Sequence, residues 1–147
     1  MKKKLQGKVL KLFITKNDKD KTRVTIEQIN ADENGIVNDK FYNKNNQRAI
    51  LITSMQSYDM ALNENINLSE GTLGENILID INPYHLKAGE KLTIGNTTLE
   101  ITQNCTLCKG LTTINSKLPK LLKNDRGIFA KIISGPSTIK IGDIINI

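Results

Sequence analysis

The sequence predicts a mostly β domain, a β-barrel with one or two short helices. Two textures point that way. Short runs alternate apolar and polar residues, and Gly and Asn turns separate those runs. A third observation limits the helices, because only two segments carry helix-start signals. Many short strands with few helices is the composition of a closed barrel.

The elements follow in order. Residues 8–14 form the first expected strand, and a charged loop at 16–21 separates it from a second at 23–29, whose inward face is Val24, Ile26 and Ile29. Residues 30–35 read as a turn in which Gly35 supplies a positive φ. Residues 38–47 are almost devoid of apolar side chains and read as a loop. Residues 48–53 read as a buried strand. Ser54 is placed to N-cap a short helix running to about Asn63, with Met55, Tyr58, Met60 and Leu62 as its apolar residues. A Gly-punctuated loop at 68–74 leads to a strand at 76–80. Residues 91–94 and 97–102, joined by Gly95 and Asn96, predict a tight hairpin. Pro119 allows a helix to start near Leu118 but not to run through it. Residues 127–133 and 137–145 close the chain as two strands.

The chain has 147 residues, enough for one ordinary domain with a core, and residues 1–147 are read as a single domain. No apolar run approaches the ~18 residues needed to span a bilayer, so no membrane association is expected. The basic start, Met1 to Lys4, lacks an apolar segment and cleavage site behind it, which reads as cytoplasmic. The net charge of +6 favours acidic partners. Nucleic acid is not favoured, because the basic clusters are dispersed and aromatics are only 4% with no Trp to stack on bases. A phosphorylated small molecule accounts for a local basic patch equally well.

The chemistry concentrates in Cys105-Thr-Leu-Cys108, the only two cysteines, placed directly after a strand-like run. In a reducing compartment such a pair reads as reactive thiols, a redox couple or metal ligands, and equally as two small apolar residues at a strand end. Lys109 is adjacent, and a neighbouring cation lowers a thiol pKa. Structural zinc needs four ligands, and the chain offers only these thiols and a distant His85. His85 lies in a turn context and reads as surface, and Lys131 reads as an outward strand position. No Ser-His-Asp set, paired-carboxylate centre or nucleotide-type Gly loop is present.

Several stretches in order carry a resemblance. These are Gly35-Ile-Val-Asn-Asp39, Gln47-Arg-Ala-Ile-Leu-Ile-Thr53, Gly71-Thr-Leu-Gly-Glu-Asn-Ile-Leu-Ile79 and Leu92-Thr-Ile-Gly95. Leu99-Glu-Ile-Thr-Gln103, Arg126-Gly-Ile-Phe-Ala-Lys-Ile-Ile133 and Ile139-Lys-Ile-Gly-Asp143 complete the set. Together they resemble a MOSC domain, which closes molybdenum-cofactor sulfurases, a family associated with pyridoxal phosphate, and also occurs as small stand-alone bacterial proteins. The resemblance covers roughly residue 8 to the end.

It implies a MOSC-type β-barrel and a pocket for molybdenum cofactor (molybdopterin) or for its sulfur chemistry. It implies a cysteine thiolate that carries sulfur or contacts the metal: Cys108, followed by Lys-Gly-Leu-Thr-Thr113, resembles the cysteine segment of the reductase members, with Cys105 as the other candidate. Residues 112–125 depart from the family pattern, so the choice between the thiols stays open. Gly74, Glu75 and Asn76 sit in a motif the family places near its pocket, against the alternative of a tight turn bonded to its own backbone. Arg48, Arg126 and Lys109 are candidates to hold an anionic pterin phosphate, against the alternative of strand-end charges in water. Asp39 either orients a ligand or caps a turn. The resemblance leaves three functions open: a cofactor or sulfur carrier, a reductase component for N-hydroxylated substrates that borrows an electron donor, and a non-catalytic module docking a cofactor-biosynthesis protein.

Overall fold

A computed structural model describes residues 5–106 and 111–147 of the chain. Strand β1 (Gln6–Thr15) is the longest element, and its alternation changes into four consecutive buried residues at its end. It is followed by β2 (Arg23–Ile26) and β3 (Gln28–Asp32). The single strand expected at 23–29 is therefore two. β2 pairs with β1, whereas β3 joins a separate three-stranded sheet. β4 (Gly35–Ile36) completes the turn, with Gly35 at φ +122 as expected.

β5 (Ile50–Ser54) is buried at every position. α1 (Met55–Asn63) starts at once, and the Ser54 side chain accepts from Gln56 N at 3.1 Å as its N-cap. Leu62, expected on the apolar face, points outward and is 58% exposed. β6 (Ile77–Ile79) then lies parallel to β5, a pairing that needs the intervening helical crossover. β7 (Lys91–Ile94) and β8 (Thr97–Asn104) form the expected hairpin. Two one-turn helices follow, α2 (Leu111–Ile114) and α3 (Leu118–Leu121). The helices among the described residues thus number three, because residues 111–114 add a turn of helix that no start signal announced. β9 (Ile128–Ile132), β10 (Ser137–Lys140) and β11 (Ile144–Asn146) end the chain. The last predicted strand is split by a turn at 141–143, where Gly142 has φ +91.

Around the barrel the order runs β11-β7-β8-β9-β5-β6-β1. β11 pairs back onto the start of β1, Gln6 opposite Asn146 and Lys8 opposite Ile144, and so closes seven strands without an open edge. β1 serves three neighbours in turn: β11, then β6, then β2. A register shift between Val9 and Lys11 bends it as it passes from one to the next.

The interior is aliphatic. Ile50, Ile52, Ile77, Ile79, Leu92, Ile94 and Leu99 are all at most 2% exposed and belong to one cluster. The opposite faces of β5 and β6 are buried too. Leu78 packs outward with Phe13, Tyr58, Leu73, Leu111 and Leu118 under the helices. Leu51 packs outward with Cys105 and Phe129. Burial on both faces explains why 48–53 and 76–80 read as continuous apolar runs rather than alternating ones.

Candidate functional site

Outside the β5–β9 wall lies a cavity of about 540 Å³, floored by Leu51, Phe129 and Cys105. This is within the ~300–1,000 Å³ of small-molecule sites. Two glycines make the wall possible. Gly127 opens β9, and a Cβ there would stand 2.9 Å from Leu51 Cδ1 and 3.1 Å from the Ile52 carbonyl. Gly74 lines the cavity at φ +89. Cys105 arrives at the end of β8, just past a register shift between Ile101 and Gln103, and its N–H donates to the Gly127 carbonyl at 2.9 Å. Its side chain lines the cavity, yet the residue is only 3% exposed.

The far lip is the loop at 38–47, fastened by the Asp39 carboxylate. Asp39 is 4% exposed and accepts from Thr15 N at 2.8 Å, from Phe41 N at 3.1 Å and from the Asn76 amide at 3.4 Å. Asn76 spends its remaining groups on the frame: Oδ1 accepts from Leu51 N at 3.0 Å, and Nδ2 donates to the Phe13 carbonyl at 3.2 Å. Thr102 Oγ1 donates to the Gln47 carbonyl and ties the loop's end to β8.

Among the described residues, five cationic side chains line this cavity, Arg23, Lys40, Lys44, Arg48 and Arg126, and no carboxylate does. Arg126 donates to the Leu73 carbonyl at 3.3 Å. Arg23 donates to Thr15 Oγ1 at 3.0 Å and to the Glu75 carbonyl. Partial burial pushes the Arg23 guanidinium below its ordinary pKa, opposed by the Glu75 and Asp39 carboxylates. Arg48 lies over the Phe129 ring at 5.4 Å, and Lys40 over Phe41 at 4.7 Å.

The expected site residues are distributed as follows. Cys105, Arg48, Gly74, Asn76 and Arg126 share the cavity. Asp39 lies behind the lip, within hydrogen-bond reach of Asn76. Glu75 does not line the cavity. Its side chain is fully buried beneath the 64–76 loop, where Oε2 accepts from Tyr58 OH and from Gly71 N at 3.2 Å. Burial, reinforced by the Glu75 charge, pushes the Tyr58 phenol well above its ordinary range and keeps it a donor. Cys108 and Lys109 lie outside the described residues. His85 is exposed. Among the described residues no three His, Cys, Asp or Glu side chains converge as a metal site.

Sequence reasoning missed Arg23, Lys40, Lys44 and Phe41. Arg23 was an ordinary strand start, and the loop at 38–47 carried no periodicity to interpret. The one available signal was the pair Lys40 and Lys44 in the stretch between Asp39 and Arg48.

Residues 39–146 match the MOSC domain. The chain belongs to the MOSC domain family. Membership makes it a molybdenum-cofactor-related domain in the general sense. Its fold is similar to that of the YuaD protein from Bacillus subtilis, with a TM-score of 0.83 at 19% identity over 99% of this chain and 97% of that one. It is also similar to YiiM from Geobacillus stearothermophilus, with a TM-score of 0.70 at 13% identity over 96% and 75% of the two chains. YiiM from Escherichia coli gives 0.71 at 15% identity over 97% and 70%. No curated protein matches the chain in sequence. At such identities the likenesses concern the MOSC fold. No helix among the described residues is long and apolar enough to cross a membrane.

The donor set suits the family's cofactor. A lining that is basic and without a carboxylate among the described residues suits an anionic pterin phosphate, and a thiol in the wall suits a soft metal or sulfur contact.

Proposed function

We propose that this MOSC domain binds molybdenum cofactor in the cavity outside β5 and β9. The observation that carries the reading is the lining, which among the described residues has five cations, a thiol and no carboxylate. Arg48 and Arg126, at the two ends of the cavity-facing strands, hold the phosphate, with Lys40, Lys44 and Arg23 adding charge from the lip. Backbone at Gly74 lets the ligand approach closely. Cys108, which the family resemblance favours, or Cys105 supplies the thiolate that contacts the metal or carries sulfur, and Lys109 favours its ionised form. The bound cofactor supplies the redox-active molybdenum centre. The protein's residues bind the anionic end, orient it toward the thiol segment and exclude water with Leu51, Leu73 and Phe129.

Expression in a cofactor-producing host, followed by assay of molybdenum and pterin on the purified chain, tests this. Wild type retains both. Arg48→Ala with Lys44→Ala lowers retention at least about tenfold, since each charged hydrogen bond contributes roughly 1.5–3 kcal/mol. Cys105→Ser with Cys108→Ser loses molybdenum or transferable sulfur while keeping pterin. A folded wild-type chain that neither retains nor takes up either component disproves the reading.

A further inference from the structure

The chain has three phenylalanines, and each has a cation over its ring: Arg23 over Phe13 at 5.5 Å, Lys40 over Phe41 at 4.7 Å and Arg48 over Phe129 at 5.4 Å. All three cations line the cavity. The two ion pairs among the described residues, Lys11–Glu70 and Lys131–Glu100, involve none of them. A carboxylate partner would fix a cation but cancel its charge. An aromatic face fixes it through the ring quadrupole and leaves the full charge available. Phe41 is 47% exposed in a lip whose backbone is pinned by Asp39, so its ring meets Lys40 at the cavity rather than in the core.

We infer that Phe41 and Phe129 are positioning residues of the anion site: they hold Lys40 and Arg48 in place un-neutralised, so the cavity selects a multiply charged oxyanion, of phosphate monoester or diphosphate type, over a monoanionic carboxylate. This rests on the anion-binding reading above. It assigns a role to rings whose sequence context marks them only as core or surface.

The test is calorimetric titration of the cofactor-free full chain with inorganic pyrophosphate, orthophosphate and acetate at one ionic strength. Pyrophosphate binds, and acetate binds at least about tenfold more weakly. Phe41→Leu and Phe129→Leu keep apolar bulk but remove the ring face, and each weakens pyrophosphate roughly two- to five-fold. Phe41→Tyr, which keeps the ring, retains wild-type affinity. Should Phe129→Leu fail to fold, the exposed Phe41 pair decides alone. Unchanged affinity in folded leucine variants overturns the positioning role and leaves the anion site standing. Equal binding of acetate and pyrophosphate overturns the selectivity. Absence of any pyrophosphate binding to wild type overturns the anion reading itself.

Discussion

The Asn76 amide donates to the Asp39 carboxylate at 3.4 Å, and through this contact the start of β6 is joined to the lip of the cavity. Asn76 also bonds Leu51 N and the Phe13 carbonyl, so one side chain ties β5, β1 and the 38–47 loop together. Asn76→Ala leaves a buried N–H and a buried carbonyl without partners. The expected loss is roughly 2–4 kcal/mol, read as a lower midpoint in denaturant unfolding. Asn76→Asp sets a second carboxylate against Asp39, so its deficit shrinks as the pH falls far enough to protonate one of the two.

The two glycines of the 71–74 turn separate backbone strain from steric clash. Both have positive φ, +91 at Gly71 and +89 at Gly74. A Cβ on Gly71 would meet Phe13 Cε1 at 2.8 Å, whereas on Gly74 the nearest atom is Leu51 Cδ2 at 3.9 Å. Gly74→Ala therefore costs only the conformational term, about 1 kcal/mol. Gly71→Ala adds overpacking against a buried ring and costs roughly 2–4 kcal/mol. Equal melting temperatures for the two variants contradict this ordering.

The three tyrosines make stability sensitive to alkali. Burial pushes Tyr84 up to about 12, burial and the Glu75 charge push Tyr58 higher still, and the hydrogen bond to Asp32 raises Tyr42. The folded state holds these phenol protons more tightly than the unfolded chain, whose phenols titrate near 10. The contribution is thus complete below about pH 10 and is lost as pH rises through the folded values. Phenolate absorbance should stay low at about pH 10 and then rise together with loss of β-sheet circular dichroism. Full ionisation near pH 10 with the fold intact counts against the argument.

Cys105 lines the cavity but is packed against Leu51 and Phe129. In Cys108→Ser protein it is the only thiol. Its alkylation under native conditions is expected to be at least about tenfold slower than in denaturant, because reagent needs local opening to reach it. Native labelling as fast as unfolded labelling would show an accessible thiol instead.

Much of the fold was legible because local signals suffice for it. Ser54 caps α1 through its own side chain, Gly95 and Asn96 turn the β7–β8 hairpin, and Gly35 takes the positive φ expected of it. The breaks at Glu27 and at 141–143 were not legible. Apolar spacing is continuous across both, and only the transfer of β3 and β10 to the second sheet divides them.

The candidate site was legible in part for the same reason. Arg48, Arg126, Gly74, Asn76 and Cys105 stood beside strands and glycines that marked them, and the chain folds them around one cavity. Residue chemistry and short-range pattern thus pointed to a strand-rich barrel and to two of the cations that line the cavity, Arg48 and Arg126. Tertiary structure alone decided that β11 closes on β1, that β5 and β6 run parallel, and that Arg23, Lys40, Lys44 and Phe41 line the same cavity. Those relations depend on pairings between residues far apart in the chain, and on a buried Asp39 that fixes a loop with no periodicity of its own.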